Sequence, residues 1–347
     1  MKKLRFLLAA VMLLGVFALS ACSGGNTEEV LVYNWGDYID REVLTMFEEE
    51  TGIKVKYDTF ATNEDMYVKI KGGGSNYDVI IPSDYMIQRM IREDMLETMD
   101  MSKLENYSRI DPALLSPAYD PTDEYSVPYM WGTVGILYDK TKVTDPVDSW
   151  NILWNEKYSK QILMLDSVRD SFFVAAEKVG VDPNSHEAAD LEKVKAALIE
   201  QKPLVLAYVG DDVKDMMIGG EASLAVVWSG DAVYCMNENE NLAYAIPMEG
   251  SNIWVDGMSI PKDAPNYDNA MKFIDFMCRP DIAKMNNDYI GYASPLPEVQ
   301  DQLSEELKAD PAANPTEEEK ARCVTMEDLG DATEMYDSLW TEIKATQ

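Results

Sequence analysis

Residues 29–81, EVLVYNWGDYIDREVLTMFEEETGIKVKYDTFATNEDMYVKIKGGGSNYDVII, alternate short β-branched runs with amphipathic ones. Strands are predicted over 29–33, 53–60 and 77–81, the last closed by Pro82. Between them the spacing predicts helices over 39–51, stopped by Gly52 at the position after a helix end, and over 63–71, followed by the turn Gly72-Gly73-Gly74. This βαβαβ order implies one lobe of a doubly wound α/β fold.

A second set of the same kind follows Trp131-Gly132-Thr133. Strands are predicted over 161–165, 204–209, 224–227 and 242–246, with helices over 172–179, 188–200, 213–218 and 232–237. Residues 251–261 read as one more strand, crossing back to the first lobe. No repeat, low-complexity tract or long linker separates the sets. Two α/β lobes with largely parallel sheets, joined by short crossings, predict a cleft that closes by hinge motion.

The N-terminus has a different character. Lys2, Lys3 and Arg5 precede an apolar run over 7–19 that falls short of the roughly 20 residues needed to span a bilayer, so 1–21 reads as a secretory signal. Leu19-Ser20-Ala21-Cys22 resembles the bacterial lipobox, which makes Cys22 the expected lipidated first residue of the mature chain. The polar residues after it, to Thr27, read as a tether.

Loss of the signal removes three basic and no acidic side chains, taking the formal charge from −32 to −35. That excludes nucleic acid as a partner, since phosphate binding needs a basic surface. An acidic field would help capture cations, but it would equally serve solubility. Three cysteines remain, Cys235, Cys278 and Cys323, without C-x-x-C spacing, and His186 is the sole histidine. Neither a metal centre nor a disulfide is expected, and no cofactor.

Ligands of open α/β sheets bind beyond the carboxyl ends of the strands. Here those ends carry one chemistry: Asn34-Trp35-Gly36-Asp37-Tyr38, Pro82-Ser83-Asp84-Tyr85, Asp166-Ser167-Val168-Arg169-Asp170 and Trp228-Ser229-Gly230-Asp231. The crossing strand adds Trp254 and Asp256, two apart and therefore on one face, and Tyr292 follows later. Taken singly, Asp37, Asp84, Asp170 and Asp231 read as helix caps and the tryptophans as core. Together they suit a cation with an apolar body. An ammonium near a carboxylate gains about 4 kcal/mol at an effective dielectric near 20. An indole face adds about 0.5–2 kcal/mol and shelters methylenes.

At these residues the chain resembles the spermidine/putrescine-binding proteins of bacterial ABC importers. The likeness runs from about residue 30 to 297. It is carried by Tyr33-Asn34-Trp35, Phe47-Glu48 through Thr51-Gly52-Ile53-Lys54-Val55, Pro82-Ser83, Val127-Pro128-Tyr129 with Trp131-Gly132, and Arg279-Pro280-Asp281. The resemblance implies a type II periplasmic-binding-protein fold. Its lobes would be 28–133 with 257–300 and 134–256 with 301–347, after a 22–27 tether. It also implies a monomer that closes on a polyamine and delivers it to a permease and its ATPase.

Position by position, Trp35, Asp37 and Tyr38 match the first ligand loop. Ser83 and Tyr85, with Asp84 between them, match the second. Asp170 matches an acidic contact in the other lobe, Trp228 the family tryptophan, and Asp231 the acid of putrescine-preferring members. Trp254 and Asp256 match the crossing-strand pair that holds an amine, and Tyr292 the late aromatic. There are departures. Ser167 replaces an aspartate of spermidine-preferring members, Gly36 is smaller than the usual serine or threonine, and Met326-Glu327-Asp328-Leu329-Gly330 aligns loosely with the segment carrying their glutamine. Asp37 and Asp231 pull toward putrescine, or toward a site that takes both ligands.

Two other readings stay open on the residues alone. Paired carboxylates beside aromatics also describe a secreted glycoside hydrolase, although no G-x-S-x-G or H-E-x-x-H motif is present. An oligosaccharide would likewise suit tryptophans and carboxylates. An amino-acid derivative would need a basic partner, and Arg169 is the only basic residue in the expected cluster.

Overall fold

The computed structural model describes residues 28–73 and 76–346, which form a three-stranded sheet and a six-stranded one. The expected signal, the Cys22 lipidation site, the tether and Gly74 lie outside the described residues. β1 (Glu29–Trp35) is followed by α1 (Arg41–Thr51), β2 (Lys54–Phe60), α2 (Asn63–Lys71), β3 (Val79–Ile80) and α3 (Asp84–Arg92). β1 pairs in parallel with β2 and β3, so residues 29–81 form the expected βαβαβ unit. β3 is shorter than the predicted 77–81 because Asp78 enters the ladder with its side chain. The Asp78 carboxylate accepts from the Leu31 and Asn266 backbone N–H groups, each at 2.8 Å.

β4 (Val127–Asp139), like α3, is an element that the sequence reading did not contain. Pro128, Gly132 and Gly135 argue against a strand by composition. In the fold they are accommodated: the register slips between Pro128 and Met130, and Gly135 leaves room for the Tyr244 ring, which would stand 2.3 Å from a Cβ there. After β4 come β5 (Ile162–Leu165), α4 (Val168–Val179), α5 (Ala188–Gln201), β6 (Val205–Val209), α6 (Val213–Ile218), β7 (Leu224–Trp228), α7 (Ser229–Glu238) and β8 (Leu242–Ala245). β9 (Ile253–Met258) then returns to the first half of β4, pairing from Val127 to Thr133.

The second half of β4 lies between β7 and β8, in a sheet ordered β6-β5-β7-β4-β8. Bridges Ile80–Ser259 and Ser83–Asp256 join β9 to the first sheet. The pairs β1–β2, β1–β3, β5–β6 and β5–β7 are parallel, and those made by β4 are antiparallel. One strand therefore begins in one body and ends in the other, changing partners between Thr133 and Val134.

α8 (Tyr267–Met277) and α9 (Pro280–Ile290) pack on the first body, where Phe47 of α1 meets Phe273 and Phe276 edge-on at 5.2 and 5.3 Å. The short helices α10 (Pro297–Gln300), α11 (Glu305–Lys308) and α12 (Glu317–Ala321) lead to α13 (Thr333–Ala345), which packs on α4 and α5 of the second body. Cys235, Cys278 and Cys323 are free thiols.

Candidate functional site

The strand ends converge between the two bodies. The helices there start closer to their strands than the apolar periodicity indicates: α4 begins at Val168 rather than 172, and α7 at Ser229 rather than 232. The N-caps of α1, α3, α4 and α7 are Asp40, Ser83, Ser167 and Trp228. None of Asp37, Asp84, Asp170 and Asp231 is a cap. Asp170 and Asp231 instead take the third helical position of α4 and α7, at the positive ends of helices that follow neighbouring parallel strands.

A cluster of aromatic rings forms the floor. Tyr292 stands edge-on to Tyr38 at 5.6 Å and to Trp254 at 4.9 Å. Tyr38 is edge-on to Tyr129 at 5.3 Å, and the Tyr129 hydroxyl donates to the Tyr38 carbonyl at 2.7 Å. Gly230, in the first turn of α7, lets the Tyr292 ring lie against the opposite body; a Cβ there would come within 2.4 Å of that ring.

Around these rings lie polar atoms that are buried without a hydrogen-bond partner among the described residues: Tyr38 Oη, Trp254 Nε1, Asp231 Oδ2 and Asp256 Oδ1. Among the described residues, Asp231 and Asp256 supply the only carboxylate oxygens in that condition. Buried carboxylates are ordinarily paired or hydrogen-bonded because desolvation penalises the charge heavily. Here burial pushes Asp256 up to about 7, against the pull of the Ser83 and Tyr38 hydroxyls. It pushes Asp170 and Asp231 up to about 6, against Ser167 and Lys214 respectively. The Tyr38 hydroxyl is raised well above its ordinary value, first by burial and then by Asp256, which it faces without closing a hydrogen bond.

The other expected residues have internal duties. Trp35 tilts against Phe60 at 4.6 Å and donates its indole N–H to the Ile81 carbonyl at 2.9 Å. Asp84 is fully buried and accepts from the Tyr85 and Val255 N–H groups at 2.7 and 3.4 Å, pinning β9 to the start of α3. Burial pushes Asp84 up to about 8. The Tyr85 hydroxyl accepts from Asn63 and donates to Glu64, both at 3.0 Å. Ser83 Oγ accepts from the same Asn63 side chain at 3.1 Å. Trp228 is half-buried at the end of β7.

Arg169 is not the only basic residue of the cluster, as the sequence had indicated. Lys214 of α6 reaches Asp37 and Asp231. Arg169 itself is occupied, stacked 4.7 Å over the Tyr85 ring and donating to the Glu327 carbonyl at 2.9 Å. The loosely aligned segment near the C-terminus closes this side of the cleft. Asp328 forms an ion pair with Arg92 of α3, and its N–H donates to Gln88 Oε1 at 2.8 Å. A strand end omitted from the sequence reading, Val209-Gly210-Asp211-Asp212 after β6, was the signal for Lys214.

The arrangement can hold a cation across two bodies, with carboxylates on both sides of an aromatic floor. Comparison with known proteins agrees in scale and kind. Residues 42–316 match the family model described as bacterial extracellular solute-binding protein. The chain is 34% identical over 344 residues to the spermidine/putrescine-binding periplasmic protein of Salmonella typhimurium, covering 98% of each. The solved structure of a putative spermidine/putrescine ABC transporter protein from Listeria monocytogenes superposes with a TM-score of 0.89 at 39% identity, over 92% of this chain and 100% of that one. A lipoprotein of Treponema pallidum gives a TM-score of 0.83 at 28% identity, over 91% and 99%.

Proposed function

This chain belongs to the bacterial extracellular solute-binding proteins, and on that premise we propose that it captures a polyamine, putrescine or spermidine, for an ABC importer. The observation that carries the ligand is a pair of buried carboxylates, Asp256 on β9 and Asp231 on α7, each of which keeps one oxygen without a hydrogen-bond partner among the described residues, on either side of Tyr38, Trp254 and Tyr292. An ammonium at each would supply the missing partner, and the rings would enclose the methylenes between. Closure excludes water and strengthens each pair. Arg169 is occupied and Lys214 is held between Asp37 and Asp231, so neither of these two basic side chains is left for a ligand carboxylate, which disfavours amino-acid derivatives.

The protein acts by binding and release, as a monomer and without chemical turnover. The lobes divide where β4 changes partners after Thr133 and where the chain enters β9, a few residues before the expected division after Asp256, so that Asp256 goes with the first lobe. Outside the described residues, Cys22 carries the lipid that keeps the protein beside its importer, in line with the lipoprotein relative. A Cys22→Ala chain is expected in the soluble fraction rather than with membranes; continued membrane retention would refute the anchor.

A ligand panel by thermal shift tests the reading. Putrescine or spermidine at 100 times Kd is expected to stabilise by about 2.7 kcal/mol. Stabilisation by an oligosaccharide with none by either polyamine would overturn it.

The raised carboxyls give the binding a pH signature. Asp256 is protonated below about 7 and Asp170 and Asp231 below about 6, so an incoming ammonium must displace protons there. The folded values exceed the ordinary carboxylate value of about 4. Their contribution to ligand-free stability is therefore full below that value and lost as pH rises through about 6–7. Ligand affinity runs the opposite way, full above about 7 and weakening as pH falls through about 7 and then 6. Calorimetry in buffers of different ionisation enthalpy is expected to show proton release between pH 6 and 7. Affinity that is constant from pH 5 to 8 would show that these groups do not meet the ligand.

A further inference from the structure

Lys214 stands on α6, just past the end of β6, in the second body. Its Nζ lies 3.3 Å from Asp37 Oδ2, in the loop after β1, and 3.7 Å from Asp231 Oδ1, in the first turn of α7. One ammonium thus joins carboxylates from both bodies. Its side chain is 17% exposed, whereas that of Asp37 is 68% exposed. Asp211 adds a third negative group: a Cβ on Gly36 would stand 3.4 Å from its Oδ2, so the small residue lets the loop settle against it. Burial works against the lysine's charge, but Asp231, Asp211 and Asp37 together hold its proton more firmly than usual. Asp231 still keeps one oxygen, Oδ2, without a partner.

We propose that Lys214 is a specificity-determining residue, a tethered ammonium that occupies the cation position between Asp37 and Asp231. A ligand amine seated at Asp256 then meets, toward the other body, a positive charge belonging to the protein. The inference rests on the polyamine reading of the site. A second ligand amine must push Lys214 aside, which its flexible four-carbon stem permits, or stop short of Asp231. Either way the second amine gains less than it would at a free carboxylate pair. A ligand with one amine loses nothing by comparison.

The test compares putrescine with n-butylamine by calorimetry at pH 8 and 150 mM salt, in the full mature chain. Lys214→Met keeps the length of the stem and removes the charge. The putrescine-to-butylamine affinity ratio is expected to rise at least tenfold in Lys214→Met and to stay near the native ratio in Lys214→Arg. Lys193→Met, which removes a charge from an exposed pair with Asp190 on α5, controls for net charge and is expected to leave the ratio unchanged. An equal or smaller ratio in Lys214→Met than in the native protein, with putrescine bound by both, overturns the inference alone. So does a rise of the same size in Lys193→Met. Failure of both proteins to bind putrescine overturns the polyamine reading and this inference with it.

Discussion

Asp256→Asn is expected to weaken polyamine binding by about 2–5 kcal/mol, roughly 30-fold to several thousand-fold. Asp256 is 5% exposed and, among the described residues, has no ion pair and leaves Oδ1 without a hydrogen-bond partner. An amide of nearly the same shape can accept a hydrogen bond from an ammonium but supplies no opposite charge. The same change removes a charge that the ligand-free fold bears without compensation. The ligand-free variant is therefore expected to be at least as stable as the native protein at pH 8, where Asp256 is ionised. Calorimetry and chemical denaturation separate the two effects. A destabilised variant with native affinity would show that the carboxylate serves the fold.

Trp254→Ala is expected to cost about 3–5 kcal/mol of stability, in the range of large aromatic truncations in cores, and to weaken binding as well. Trp254 is 7% exposed, meets Tyr292 edge-on at 4.9 Å, and leaves its indole N–H unpartnered. Its truncation removes packing from β9 and a wall from the cleft. Trp254→Phe distinguishes these roles: most of the stability is expected to return, with only part of the affinity, because the benzyl ring refills the space without the indole face or its N–H. Native stability and affinity in the alanine variant would place the cleft elsewhere.

Much of the fold was readable because each strand of the βα units is a short apolar run and each helix carries its own periodicity. Asn63–Lys71 and Val213–Ile218 have the boundaries the pattern predicts. β4 was hidden because Pro128, Gly132 and Gly135 are signals against a strand, and their purpose exists only in three dimensions, where partners from two sheets crowd one chain. The aromatic and acidic strand ends pointed to the region where Asp231, Asp256, Tyr38, Trp254 and Tyr292 gather. Their division of labour was not readable. Asp84 and Asp256 look alike in sequence, yet Asp84 is spent on backbone N–H groups while Asp256 keeps an oxygen unpartnered. Lys214 was missed because the strand end before it was passed over, and its pairing was not readable because Asp37 and Asp231 lie 177 and 17 positions away in the chain.

β4 also bears on how the molecule comes apart. Its first half pairs with β9, which bridges to the first sheet, and its second half lies between β7 and β8. Melting either body would strand half of β4 with its backbone groups unpaired beside a partner that is still folded. The strand thereby couples the two bodies in a single unfolding event, so a molecule that flexes as two pieces is lost as one.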